Sequence, residues 1–157
     1  MNRRTFALTA LALAALPAAA HHGWSSFDQD KPVYLAGEVK SVRWQNPHAE
    51  ALVEVAAGQK LPADWASRTL PAQTQSVDAA AIRAKVQPAA AAGSYELEFA
   101  PLTRMQAWGL AEPLKPGDRI EAVGYIAPNL KGGKLMRVEY LFVNGKGYGL
   151  RSMPAGS

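Results

Sequence analysis

Two adjacent histidines, His21 and His22, directly follow a small-residue stretch, Ala18-Ala19-Ala20, that has the pattern of an export cleavage site. If a peptidase cuts after Ala20, the mature chain begins with His21. Its free α-amino group and its imidazole ring then form a chelate that suits a soft or borderline metal ion. Because the whole chain contains only three histidines, this arrangement is a specific indication of metal chemistry.

Residues 1–20 read as an export signal that is removed. The run Asn2-Arg3-Arg4-Thr5-Phe6 supplies a charged start and resembles a twin-arginine signal, with an ordinary secretory signal as the alternative. The apolar run at residues 6–16 is shorter than the roughly 20 residues of a membrane-spanning helix. Both routes predict a periplasmic protein with no stable membrane insertion after processing.

The composition of the mature chain excludes several classes of protein. It has no cysteine, so no disulfide can stabilise the fold in an oxidising compartment. Without Arg3 and Arg4, the 17 basic residues become 15 against 13 acidic ones, a net charge of about +2 that is scattered along the chain. A nucleic-acid binder would instead concentrate its basic residues on one face, so we expect no nucleic-acid partner.

The apolar pattern predicts an arm at residues 21–32, a domain at residues 33–144 and a flexible, glycine-rich tail at residues 145–157. Alternation of apolar and polar residues predicts a first strand at residues 33–44, and its parity switches near Val42, which indicates a bulge or bend with Gly37 as a pivot. The other predicted elements are strands at 48–56, 95–99, 119–127 and 134–144 and a helix at 102–110.

Residues 58–93 interrupt this pattern with a stretch rich in Ala, Pro, Gln, Ser and Thr. A loop of this length inside a domain is uncommon and is often functional. Its composition favours a tolerated low-complexity insertion, with one short helix at residues 78–86 that is capped by Asp78.

The order of elements predicts a mainly β protein. Five strands with one helix between the third and the fourth match the topology of the oligonucleotide/oligosaccharide-binding (OB) barrel. We therefore expect a small five-stranded OB-like barrel that carries a long loop insertion. A strongly coiled first strand is what so small a barrel needs in order to close.

Several segments resemble a family of small exported bacterial proteins. They are the start His21-His22-Gly23-Trp24, the strand piece Gly37-Glu38-Val39, the turn Trp44-Gln45-Asn46-Pro47-His48 and the turn Leu114-Lys115-Pro116-Gly117-Asp118. Ala107-Trp108-Gly109 lies where that family carries a helix. The family is DUF6152, whose function is unknown, so the resemblance supports the fold, the export and the position of the histidines without supplying an activity.

The histidines allow two metal geometries. In the first, His21 binds through its amine and ring while His48, on the turn after the first strand, completes a set of three nitrogens that resembles a histidine brace. In the second, the amine, a deprotonated amide and the ring of His22 bind Cu(II) without His48. Copper is favoured by the general affinity order, and zinc is the alternative metal. Solvated histidines with no physiological metal are the competing interpretation.

Other residues with ligand chemistry have simpler explanations. Three methionines could bind Cu(I) and four tryptophans could stack a ligand, but core packing and anchoring of the barrel rim explain both sets better. We expect Trp44 to anchor the barrel end and Trp24 to dock the arm. The residues concerned are Met105, Met136 and Met153, and Trp24, Trp44, Trp65 and Trp108.

No catalytic motif is present in the sequence, and the alternating residues Glu50, Glu54, Glu96 and Glu98 are explained by solvated strand faces. A binding function is therefore favoured over an enzyme. The leading hypothesis is a periplasmic module that binds a copper ion through His21, with His48 or His22, as a carrier or a sensor. The alternative is a metal-independent adaptor that binds a protein partner or a glycan on the barrel face or the insertion.

Overall fold

Seven strands and two helices make up the part of the chain that the computed structural model describes, residues 23–156. The predicted export signal, His21 and His22 lie outside the described residues. The elements are β1 (Pro32–Arg43), β2 (Glu50–Val55), α1 (Ala79–Lys85), β3 (Gln87–Pro88), β4 (Gly93–Glu98), α2 (Leu102–Ala107), β5 (Arg119–Ile126), β6 (Leu135–Val143) and β7 (Lys146–Gly149), with 3₁₀ turns at Trp24–Ser26 and Lys131–Gly133.

Five of these strands close into a barrel. β1 pairs with β2, β2 with β4, β4 with β6, β6 with β5, and β5 returns to β1. Only the β4–β6 pair of this ring is parallel. With α2 between the third and fourth barrel strands, the topology is that of the predicted OB-like barrel. The five predicted strands agree with the observed ones to within two residues at each end.

The first strand bends where its parity switches. The register between β1 and β2 shifts between Val39 and Ser41, which confirms the predicted bulge. Leu35 and Val39 face the core before the shift, and Val42 packs against the core after it. At Gly37 an added Cβ would lie 2.5 Å from the carbonyl oxygen of Glu54, so only glycine allows this close approach of β2.

The turn that bears His48 is attached to the entrance of α2. The side-chain oxygen of Asn46 accepts a hydrogen bond from the backbone N–H of Leu102 (3.1 Å), which is one of the unsatisfied donors at a helix start. The backbone N–H of Ala49 donates to the carbonyl of Ala100 (3.1 Å). These bonds fix the position of His48 relative to the end of β4.

The core fills the barrel with apolar side chains from all five barrel strands and from α2. Met105 and Met136 are fully buried in it, which confirms that they are core residues, whereas Met153 is exposed. Trp44 packs against the same core, with its ring 6.3 Å from that of Phe99.

The insertion folds back over the outside of the barrel. Trp65, Ile82 and Val86 from the insertion bury against the outer faces of Tyr34, Val123 and Tyr140. α1 begins after Asp78, whose carboxylate accepts from the backbone N–H of Ala81 (2.8 Å), as the sequence predicted. The insertion therefore adds a second apolar cluster to the fold.

The C-terminal segment, which was predicted to be flexible, contains a strand. β7 pairs with β6 in antiparallel register from Val143–Lys146 to Tyr140–Gly149. Tyr148 and Leu150 are buried in the core, and this burial holds the segment in place.

Within residues 23–156, no helix is long and apolar enough to cross a membrane.

Candidate functional site

The N-terminal arm docks on the outer face of β5 and β6. Phe27 is buried against Tyr125, Ala127 and Leu135, and the backbone N–H of Asp28 donates to the carbonyl of Ile126 (2.9 Å). The arm therefore reaches β1 along a fixed path across the barrel. This docking places Trp24, the third residue after His21, on the same face.

Two arginines lie over the ring of Trp24. The guanidinium carbon of Arg151 is 3.9 Å from the centre of the indole ring, and that of Arg137 is 5.5 Å from it. Tyr125 meets the same ring edge-on, with 6.2 Å between the ring centres. Cations over an indole are attracted by the negative face of the ring, most strongly when they are shielded from water. The arm is thus anchored by charge as well as by apolar contact.

Arg137 belongs to a buried ion pair between neighbouring strands. Its Nη2 lies 2.8 Å from Oε2 of Glu98, and both side chains are buried. Burial lowers the pKa of the Arg137 guanidinium, and the carboxylate of Glu98 opposes this change, so the group stays charged. The expectation that Glu98 lies on a solvated face is wrong, because its side chain is buried and paired with Arg137.

His48 contacts this ion pair. Nη1 of Arg137 is 3.2 Å from Nε2 of His48. Because a guanidinium has only donors, Nε2 accepts this hydrogen bond, and the proton of a neutral ring is then on Nδ1. A metal ion can bind Nε2 only if Arg137 releases it. His48 is therefore beside the arm, but in a hydrogen-bonded rather than an open state.

Arg151 is held by a carboxylate in the interior. Glu139 is fully buried, and its Oε2 accepts from Nε of Arg151 at 2.7 Å while its Oε1 accepts from the amide of Gln73 at 2.9 Å. Burial is the main reason that the pKa of Tyr125 is raised to about 12. The charge of Glu139 adds to this rise, and Arg151 opposes it. The insertion and the C-terminal segment thus both help to position the ring of Trp24.

These groups form one site, which we call the arm site: Trp24, His48, Glu98, Arg137, Glu139 and Arg151. The sequence pointed to His48 as a metal ligand, which stays a prediction, and to a docking role for Trp24, which its packing with Tyr125 and Phe27 confirms. It did not point to the four charged residues as a site. A signal was present, because Arg137 and Glu139 interrupt an otherwise apolar strand. Charges in a strand that is buried on both faces need partners.

No group of three or more His, Cys, Asp or Glu side chains that could hold a metal ion occurs within residues 23–156. A metal site at this face would therefore depend on the histidines that precede Trp24.

The other tryptophans have structural partners: Trp65 donates to the carbonyl of Arg83, and Trp108 to that of Ser152.

Comparison with known protein families gives one match. Residues 9–76 match the model of DUF6152, which is described as a family of unknown function. The matched part includes the arm, β1, β2 and the start of the insertion, and it ends before the turn at residues 114–118. No curated protein and no solved structure matches the chain.

Proposed function

We propose that this protein, a member of the DUF6152 family through residues 9–76, is an exported periplasmic module that binds a copper ion at its mature N-terminus. In one geometry the amine and the ring of His21 bind together with a nitrogen of His48. In the other, the amine, a deprotonated amide and the ring of His22 bind without His48. The role is that of a carrier or a sensor, since no catalytic motif accompanies the histidines.

One observation supports this proposal above the others. The ring of Trp24 lies over Arg137, and Arg137 donates to His48. His21 precedes Trp24 by three residues, and three residues of extended chain reach about 10 Å. The first geometry requires these three residues to bring the amine of His21 from Trp24 to His48.

The surrounding charges are compatible with a bound cation. Each arginine near Trp24 is compensated by a buried carboxylate, Arg137 by Glu98 and Arg151 by Glu139. The site has no excess positive charge that would repel a metal ion. The hydrogen bond from Arg137 means that His48 joins the metal only after a rearrangement, and binding through His22 avoids that cost.

The test is a Cu(II) titration of protein that begins at His21, compared with the same protein after N-terminal acetylation. Acetylation removes the amine from both geometries, so we expect an affinity loss of at least about tenfold, as for one lost ligand interaction. His21→Ala should have the same effect in the first geometry, and His22→Ala should have it in the second. The proposal fails if acetylation leaves the affinity unaltered.

The two geometries predict different spectra. If His48 binds, His48→Ala changes the electron paramagnetic resonance signal of the bound Cu(II). If the amine, an amide and His22 bind, His48→Ala leaves the signal unchanged, and His22→Ala alters it.

Removal of the metal by a chelator separates this function from that of a metal-independent adaptor, because a metal-dependent carrier or sensor would lose its partner with the metal.

A further inference from the structure

A groove separates the insertion from the outer face of the barrel, on β1, β2 and β5. Its volume is about 980 Å³, which is the size of a small-molecule site. We call it the insertion groove, and the residues that matter below are Glu38, Glu54, Arg68, Arg119, Phe142 and Lys146. It lies apart from the arm site and shares no residue with it.

One wall of the groove is rigid. Arg68, from the insertion, pairs with Asp64 and with Glu121, and its guanidinium carbon lies 5.0 Å from the centre of the Phe142 ring. The hydroxyl of Tyr34 donates to Glu121 at 3.0 Å. Because these partners satisfy one another, the wall is already formed before a ligand arrives, which lowers the entropic cost of binding.

The remaining charges of the groove have opposite signs on its two sides. On β1, Glu38 is directly opposite Glu54 of β2 on one flank and opposite Arg119 of β5 on the other. Glu38 pairs with Lys40. In contrast, Glu54, Arg119 and Lys146 form no ion pair with any residue between 23 and 156. The β2 side is thus acidic, and the side of β5 and β7 is basic.

The spacing of the strands that carry Glu54 and Arg119 indicates the length of a ligand that could reach both side chains. Directly opposite residues point to the same face of the sheet, so Glu54 and Arg119 project from one face at positions two strands apart. Two strand spacings are roughly 10 Å. An extended peptide of three residues also spans about 10 Å.

We propose that the insertion groove binds short peptides with free ends, of about three residues. The peptide ammonium group lies at Glu54, and the peptide carboxylate lies at Arg119 and Lys146. Charged hydrogen bonds of this kind are the stronger class. This function needs no metal, and it gives the metal-independent adaptor a defined chemistry.

The test is an NMR titration of isotope-labelled protein with trialanine. The chelator EDTA is present, because free peptide amines also bind Cu(II). Trialanine should shift the amide signals of residues in the groove, whereas N-acetyl-trialanine amide, which has no end charges, should bind at least about tenfold more weakly. Dialanine, which is too short to meet both sides, should also be weaker. Equal binding of all three peptides, or shifts outside the groove, would overturn the proposal.

Charge variants supply the second arm of the test. Arg119→Gln and Glu54→Gln should each weaken trialanine about fivefold or more, and neither should change the affinity for the blocked peptide. Arg43→Gln is the matched control, since Arg43 is also an exposed arginine on the barrel surface but pairs with Glu50 away from the groove. If Arg43→Gln weakens trialanine as much as Arg119→Gln does, the effect is one of general charge and the proposal is wrong. Copper binding at His21 is measured separately and does not bear on this result.

Discussion

Two tryptophans cover the outer face of the same barrel in opposite ways. Trp65 of the insertion is buried among apolar side chains and lies beside Tyr34, with 6.3 Å between the ring centres. Trp24 of the arm is only partly buried, and the guanidinium groups of Arg137 and Arg151 lie over its ring. One contact extends the core, and the other depends on a set of charges.

This difference separates stability from function. Apolar burial is stabilising in proportion to the area removed from water, whatever the exact geometry. A cation over an indole ring contributes roughly 0.5–2 kcal/mol and requires the two groups to be positioned. The Trp65 contact therefore depends less on exact geometry than the Trp24 contact does. The Trp24 contact involves Arg137, which also donates to His48, so a change at the arm reaches the proposed metal ligand.

The largest expected effect is on the insertion side. Trp65→Ala should lower the free energy of unfolding by about 3–5 kcal/mol, because it removes a buried indole and leaves a cavity. Urea denaturation followed by circular dichroism measures this loss. Trp65→Phe keeps most of the apolar volume and loses only the hydrogen bond to Arg83, so its effect should be smaller. If Trp65→Ala costs less than 1 kcal/mol, the insertion is not part of the stable fold.

The barrel could be predicted from the sequence because its signals are local. Alternation of apolar residues located all five barrel strands, and the parity switch near Val42 located the bulge in β1. The insertion could not be predicted in this way. Its few large residues, such as Trp65 and Ile82, are far apart along the chain, and they form a cluster only because the barrel face provides the other half.

The arm site was less predictable for a related reason. Arg137 of β6 pairs with Glu98 of the neighbouring strand β4, and Arg151 of the C-terminal segment pairs with Glu139 of β6. No local sequence pattern reveals these pairs. The histidines could be identified because they are rare in this chain and lie next to a cleavage pattern. Their geometry remains a prediction, because His21 and His22 lie outside the described residues.

A smaller effect is expected on the arm side. Trp24→Ala should lower the free energy of unfolding by only about 1 kcal/mol, since the indole is partly exposed and its contacts are cation–π contacts. It should also weaken Cu(II) binding several-fold, because the arm is no longer held beside His48. Trp24→Phe retains an aromatic face and should recover part of the affinity. An arm that matters only for stability would show the opposite result, a large loss of stability and unchanged copper affinity.

A third difference between the insertion side and the arm side lies in their tyrosines, and it appears only at alkaline pH. Burial raises the pKa of Tyr125 on the arm side to about 12, and burial also raises the pKa of Tyr34 on the insertion side. An unfolded tyrosine has a pKa near 10, so the folded state keeps both protons longer. The stability from this effect is complete below pH 10 and is lost as the pH rises from about 10 through 12, since the unfolded chain then binds fewer protons.

The order of ionisation follows from the neighbours of the two hydroxyls. Tyr34 donates directly to the carboxylate of Glu121, which adds to the rise in its pKa, whereas Arg151 opposes the rise at Tyr125. Tyr125 should therefore ionise at a lower pH than Tyr34. Ultraviolet titration of tyrosinate in the Tyr125→Phe and Tyr34→Phe variants assigns the two steps. Two results would contradict this prediction: ionisation of Tyr34 before Tyr125, or titration of either residue near pH 10 in the folded protein. Either result would mean that the surroundings of Tyr34 on the insertion side raise its pKa no more than those of Tyr125 on the arm side.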